Sequence, residues 1–409
     1  MKINSIILEN FRNYNMLECF PDPKLNIIIG ENAQGKTNLI EAIYISAFAK
    51  SFRTNRSQEM IKFGAERARV HLDVTSEELE HSINIVLLND GKKKITKDGK
   101  GIRKATELLN TVVVVVFSPE DLRIIKDSPE KRRNFINREL SQIRPAYYEA
   151  LRSYGEALKQ KNALIKGYFN IRKKTFTRAD NLILNESSNV GNNEGNNIYD
   201  NSRQFNEDML DVYDQQLAAS GYEIIRYRTE FIEMLSLEAS EIMKKVSGGK
   251  ENLEIAYKTR CNYKIGPDGR DVLYRQISAN RKRDIYSGNS GIGPHRDDIE
   301  FYINGEDARK YGSQGQQRTI ALSLKLAEIR IINQMLGESP ILLLDDVLSE
   351  LDADRQRFLI SEIEDVQLFI TAAEISEYVI DALKGGILLK VDSGSITKIN
   401  EKTRNRSKF

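Results

Sequence analysis

The chain has 409 residues, 40% hydrophobic and 29% charged, with 61 Lys and Arg against 59 Asp and Glu for a net charge of +2. That length exceeds one ordinary hydrophobic core, so a main domain with a smaller companion is expected, and no apolar run is long enough to cross a bilayer. Two cysteines (Cys19, Cys261) and three scattered histidines (His71, His81, His295) give no disulfide framework or zinc cluster, so any metal falls to oxygen ligands and phosphate; the first residues lack a secretion-signal pattern, and a cytoplasmic location is expected.

Lys2 to Leu8 alternates as a strand, Leu25 to Ile29 reads as a more buried strand, and Thr37 to Ala49 as a helix. The glycine-rich turn between the last two therefore sits in a strand-loop-helix unit. Val70 to Val74 and Ser82 to Leu88 predict further strands, and Asn89, Asp90 and Gly91 signal a hairpin before Lys92, Lys93, Lys94, Lys97, Lys100, Arg103 and Lys104. Such a stretch suits nucleic-acid phosphate, and equally a solvated hairpin face. Five valines in Thr111 to Phe117 predict a strand buried on both faces, stopped by Ser118 and Pro119. From Pro129 long helices follow, Glu130 to about Ile165 and Phe205 to about Val246, forming an antiparallel arm with a flexible Asn-rich tip over Asn181 to Asn206. After Gly249 strand-like segments return. Gln316 to Leu336 predicts an apolar helix, Ile341 to Leu344 a buried strand, Asp354 to Ile363 a helix and Leu368 to Thr371 another strand. Residues 1–128 and 249–409 are expected to form one α/β domain, interrupted by a helical insertion at 129–248.

Gly30-Glu31-Asn32-Ala33-Gln34-Gly35-Lys36-Thr37 fits the P-loop pattern in the strand and helix context the motif requires. Its glycines let the backbone approach phosphate, its N–H groups and the helix N-terminus bind the anion, Lys36 reaches the β- and γ-phosphates, and the Thr37 hydroxyl ligates Mg²⁺. Ile341 to Leu344 delivers Asp345 and Asp346 at the carboxyl end of a buried strand, as a Walker B element would. Asp345 would help hold Mg²⁺ and Asp346 would act as general base on water. Ser313-Gln314-Gly315-Gln316-Gln317-Arg318 opens the apolar helix, as a plain N-cap or as a second phosphate site. A chain with one P-loop needs a second cradle only when two copies share each nucleotide.

The order of these motifs, followed by Ser349-Glu350-Leu351-Asp352, resembles the RecF family. So do Asn10-Phe11-Arg12-Asn13-Tyr14, Ser51-Phe52-Arg53-Thr54, Phe117 to Leu122 and Gly293-Pro294-His295-Arg296-Asp297-Asp298, and the resemblance spans nearly the whole chain. It implies an SMC-like ABC-ATPase head built from both ends of the chain, with a short inserted helical arm. It also implies an ATP-dependent homodimer that binds duplex and gapped DNA in replication, repair and the SOS response, acting with RecO and RecR to place RecA at single-strand gaps. Matched by position, Gly30 to Thr37 and Asn38 would bind ATP and Mg²⁺, with Thr37 and Asp345 on the metal side. Ser313, Gln314 and Gly315 would touch the γ-phosphate held by the other subunit, Ser349 to Asp352 would cross the interface, and Arg12 and Asn13 would lie near the adenine. Turnover would then depend on Lys36, Asp345, Asp346 and Ser313.

Two departures from the pattern matter. No Q-loop glutamine stands beside Phe117 to Leu122, and Thr371 occupies the place where many ABC proteins carry a histidine. Asp346 is also shorter than the usual glutamate, which implies slow turnover and a weak ATPase serving as a switch. Two other functions compete. A P-loop kinase would complete its site in one compact domain, whereas here the signature helix is remote from the P-loop. An SMC-like protein that bridges DNA would need hundreds of heptad residues, and the arm here spans only about Pro129 to Val246.

Overall fold

The computed structural model describes residues 1–183, 195–261, 265–363, 365–373 and 385–399, and of 168–183 and 195–206 the backbone only. Strands β1 (Lys2–Phe11), β2 (Tyr14–Cys19) and β3 (Leu25–Ile29) precede helix α1 (Lys36–Phe48). β4 (Arg67–Ser76), β5 (Leu79–Leu88), β6 (Lys93–Lys97), β7 (Lys100–Gly101) and β8 (Val114–Phe117) follow. Next come α2 (Pro129–Ile143), α3 (Pro145–Ile183) and α4 (Gly195–Val246), then β9 (Leu253–Lys258), α5 (Gly269–Ala279), α6 (Arg281–Ser287), β10 (Asp298–Ile303) and β11 (Glu306–Asp307). α7 (Gln314–Leu336), β12 (Ile341–Asp345), α8 (Ala353–Glu362), β13 (Leu368–Ala372), β14 (Ile387–Asp392) and β15 (Ser395–Ile399) complete the described elements.

Residue type decides which strands go inside. β8, β12 and β13 are buried at every position, and β3 at all but its last, as runs of Val, Ile and Leu require when helices or a second sheet cover both faces. They assemble in the order β15-β14-β3-β13-β12-β8, so that strands from both ends of the chain interleave. All pairs except β14 with β15 are parallel. β4 instead alternates buried and half-buried residues, and belongs to a second sheet, β2-β1-β4-β5-β6-β7, with one face on the core and one toward water. A third sheet pairs β10 with β9 and β11.

Two apolar cores result. One joins Leu8, Val70 and Ile85 of the antiparallel sheet to Ile40 and Ile43 of α1 and to Val114, Leu343 and Phe369 of the parallel sheet. The other joins Val115, Leu342 and Ile370 on the opposite face to Ile320 and Leu324 of α7 and Leu235 and Ile242 of α4. The parallel sheet is thus the middle layer, and its carboxyl edge is open to whatever follows the strands.

The helical region differs from the sequence expectation at two places. The helix predicted over Glu130 to about Ile165 is two helices, because Arg144 is extended (φ −137°, ψ 89°) where the ring of Pro145 disfavours helical backbone in the preceding residue. The second arm helix begins at Gly195 and not at Phe205. Residues 181–183 and 195–206 are helical, and of the tip expected over Asn181 to Asn206, residues 184–194 lie outside the described residues. Once a helix is nucleated each added residue gains a backbone hydrogen bond, and this outweighs the weak helix preference of asparagine.

Candidate nucleotide site

Register assembles the site. β12 pairs with β13 so that Asp345 faces Thr371, β13 pairs with β3 so that Ala372 faces Ile29, and β12 pairs with β8 so that Leu344 faces Phe117. The residues that follow, Gly30, Asp346 and Ser118, emerge along one carboxyl edge, where open α/β sheets bind ligands.

The loop from Gly30 to Gly35 leads straight into α1, whose first residues are Lys36 and Thr37. Only glycine fits its two ends. A Cβ at Gly30 would lie 2.5 Å from the Val391 carbonyl oxygen, and one at Gly35 (φ 120°) would lie 2.7 Å from Asn13 Nδ2. The buried Lys36 arches over the loop, donating to the carbonyls of Gly30 (2.7 Å) and Glu31 (3.1 Å). Gly35 has no side-chain cap to offer, so the first amides of α1 and its positive end remain for an anion.

Neighbouring segments brace this loop. Tyr14 donates its hydroxyl to the Gly35 carbonyl (2.9 Å), and Asn13 donates to the Gln34 carbonyl (2.6 Å) while accepting from Asn38 (2.8 Å). The Ser393 amide, in the turn between β14 and β15, donates to Gln34 Oε1 (2.6 Å). Arg12 grips the fully buried Glu41 of α1 through two bonds of 2.8 and 2.6 Å, with a third to the Glu59 carbonyl. Its guanidinium is thus held in a bidentate pair within the protein, and Asn13 is the member of the two that touches the P-loop.

The acidic half of the site converges on the same helix. The Asp345 carboxylate accepts from Thr37 (3.0 Å) and Thr371 (2.7 Å). Burial raises the Asp345 carboxyl above the ordinary carboxylate range, the two hydroxyl bonds oppose that rise, the Asp346 charge adds to it, and Arg53 works against it. Asp346 is held in a left-handed conformation (φ 52°) by its N–H bond to Thr371 Oγ1 (3.0 Å) and by Ser349, which donates to its carbonyl. A hydroxyl and a carboxylate 3.0 Å apart beside a phosphate-type loop match the donors Mg²⁺ takes when phosphate supplies the rest. Thr37 and Asp345 would hold that ion, and it would neutralise phosphate charge there.

The signature segment opens α7. Ser313 caps α7 through a reciprocal pair with Gln316, and Ser313 and Gln314 are exposed. Arg355 of α8 donates to the Gly315 carbonyl (2.9 Å) and to Thr319 (2.9 Å), and Arg318 donates to the Glu350 carbonyl (2.5 Å). These bonds tie Ser313 to Gly315 and Ser349 to Asp352 into one rigid corner. Among the described residues, no hydrogen bond or ion pair joins Ser313 to Gly315 with the P-loop. Sequence reasoning missed Glu41, Arg355 and Ser393, and gave Tyr14 and Arg53 no role beyond their place in the family-like segments; all five act by contacts between residues distant in sequence.

Residues 2–384 match the family RecF/RecN/SMC N terminal domain. The chain is 42% identical over 377 residues, covering 92% of its own length and 94% of the relative's, to the DNA replication and repair protein RecF of Clostridium perfringens strain 13. It is 39% identical over 402 residues, 98% of its length and 100% of the relative's, to the protein of the same name from Clostridium botulinum strain Loch Maree. A solved structure described as the recombination mediator protein RecF-ATPrS in the RecFOR pathway superposes with a TM-score of 0.83 at 31% identity, covering 97% of this chain and 98% of that one. The Smc head domain of Pyrococcus furiosus superposes with a TM-score of 0.53 at 16% identity, covering 99% of this chain and 98% of that one, a likeness of fold alone.

Proposed function

The chain belongs to the RecF family of SMC-like ATPases, and from that premise we propose that it is an ATP-switched DNA-binding protein of replication and repair. Gly30 to Thr37, with Asn38, binds the nucleotide; Thr37 and Asp345 hold Mg²⁺; and Asp346 activates water. Ser313, Gln314 and Gly315 complete the nucleotide site of a second copy, so ATP closes a homodimer and slow hydrolysis reopens it. The dimer clamps duplex or gapped DNA and, with RecO and RecR, promotes RecA loading.

The observation that supports this reading is that, among the described residues, Ser313 and Gln314 are exposed at the positive end of α7 and make no hydrogen bond or ion pair with the P-loop of their own chain. A phosphate cradle left unbonded in this way is suited to a neighbour's nucleotide. Lys94, Lys100, Arg103 and Lys104 are exposed and suited to meet DNA phosphate, whereas Lys92 pairs with Asp90 and Lys93 and Lys97 donate to Ala49 and Thr111 within the protein. No described helix is long and apolar enough to cross a membrane. Sedimentation with saturating ATP and Mg²⁺, with and without gapped duplex, tests the reading: a nucleotide-dependent dimer that binds DNA is expected, and a persistent monomer overturns it.

A further inference from the structure

The turn after β8 has no glutamine, yet it is tied to both halves of the site. Ser118 begins it, one residue beyond the Phe117 to Leu344 pairing and hence beside Asp345. One oxygen of Asp121 accepts from the Ser118 amide (2.9 Å) and hydroxyl (3.0 Å). The other faces Lys325 of α7 and Arg138 of α2, each at 3.7 Å. Lys325 is 3% exposed and also pairs with Glu328 (3.2 Å), while Arg138 pairs with Glu139 (2.5 Å). Arg138 further interacts with the buried Tyr44 of α1, the helix that carries Lys36 and Thr37.

The cluster is buried and densely charged. Burial, and then the Glu139 charge, pushes the Glu328 carboxyl well above its usual range. Two cations, Lys325 and Arg138, face three acids, Asp121, Glu139 and Glu328. A buried cluster of this kind has little tolerance for losing one member, because the survivor is left as an unpaired buried charge. Its weakest joint is also evident. The contacts of Asp121 to Lys325 and Arg138 are longer than the other pairs and too long for hydrogen bonds, so this is the seam at which the turn can shift against α7 and α2.

We propose that Asp121 and Lys325 are positioning residues that couple the nucleotide pocket to the signature helix, filling the place of the absent Q-loop glutamine. A displacement at the carboxyl edge beside Asp345 moves Ser118, Ser118 moves the Asp121 carboxylate, and that carboxylate steers Lys325 on the helix whose first turn is Ser313 to Gln316. The inference rests on the reading that Ser313 to Gly315 act on nucleotide.

Hydrogen exchange of the full chain, diluted until sedimentation shows only monomer, separates the two claims. Adding ATP and Mg²⁺ to wild type should slow exchange in the P-loop and change exchange in the first turn of α7 by at least threefold. In Asp121→Asn and Lys325→Met the P-loop response should persist and the α7 response should vanish. Glu328→Gln, which leaves Asp121 and Lys325 in place, should respond as wild type. The proposal is overturned if α7 responds equally in the variants, if it fails to respond in wild type, or if the variants lose both responses together. Should both variants fail to fold, Ser118→Ala removes one hydroxyl bond to Asp121 from outside the ion cluster, and an undiminished α7 response there overturns the proposal too. If exchange couples as expected while no dimer forms at high concentration, the dimer reading alone fails.

Discussion

The hydroxyl of Thr371 donates to Asp345 at 2.7 Å while its oxygen accepts the Asp346 amide at 3.0 Å, so one threonine fixes both acids of the site. It stands where a switch histidine would be expected, but it carries no titrating proton, and its contribution is to hold two carboxylates in place. Thr371→Val should leave ATP affinity within about threefold and slow hydrolysis by about tenfold, the scale of one hydrogen bond to a charged group. Losing that bond also lets the Asp345 carboxyl rise further, so the acidic limb of the hydrolysis pH profile should move to higher pH. A profile superimposable on wild type would show that Thr371 does not position Asp345.

Lys36→Met should abolish nucleotide binding, because the ammonium is the loop's buried cation and methionine keeps its length without its charge. Asp346→Asn should bind ATP normally and lengthen the life of the ATP-bound dimer. Equal dimer lifetimes in wild type and Asp346→Asn, followed by sedimentation or by dissociation on dilution, would remove Asp346 from the role of base.

Gly35→Ala places a methyl group 2.7 Å from Asn13 Nδ2 at a residue with φ 120°, and forces either the backbone or Asn13 to yield. Because Asn13 also holds the Gln34 carbonyl, the loop should lose its shape, with at least a tenfold fall in affinity for a fluorescent ATP analogue and about 1–3 kcal/mol of stability. Unchanged affinity would show that Asn13 does not shape the loop.

His295 supplies a pH dependence. It accepts from Tyr154 (2.6 Å) at Nδ1 and donates to the Ser290 carbonyl (3.0 Å) at Nε2, a pattern that requires the neutral ring. Burial lowers its pKa from 6.5 to about 4. The folded value lies below the unfolded one, so the stabilisation is complete above about pH 6.5 and is lost as pH falls toward 4, up to about 3 kcal/mol. Thermal unfolding between pH 7 and 4.5 should fall less steeply in His295→Gln than in wild type. Parallel slopes would assign the acid sensitivity to other groups.

The P-loop and Walker B strands were legible in the sequence because each is a local pattern: a buried β-rich run, then residues whose chemistry is set by backbone shape. The break at Pro145 was also written locally, in the restriction a proline puts on Arg144, and was passed over within a strong helical periodicity. What could not be read were partners distant in sequence. Gln34 and Ser393 are 359 residues apart, Thr37 and Asp345 are 308 apart, and only the interleaved strand order brings them together. The hold of Glu41 on the Arg12 guanidinium also joins residues distant in sequence; Glu41 is a buried acid in an otherwise apolar stretch of α1, and that oddity was the available signal.

The position of β3 between β13 and β14 also bears on how the protein is made. When Gly30 to Thr37 leave the ribosome, neither strand that flanks β3 has been synthesised, and at roughly 5–20 residues per second some tens of seconds pass before both exist. Until then the segment has the composition of a phosphate-binding loop with nothing to shape it. Contacts so distant in sequence also form slowly. Translation therefore imposes a delay on nucleotide loading, and a chain stopped before β14 carries the motif without the site.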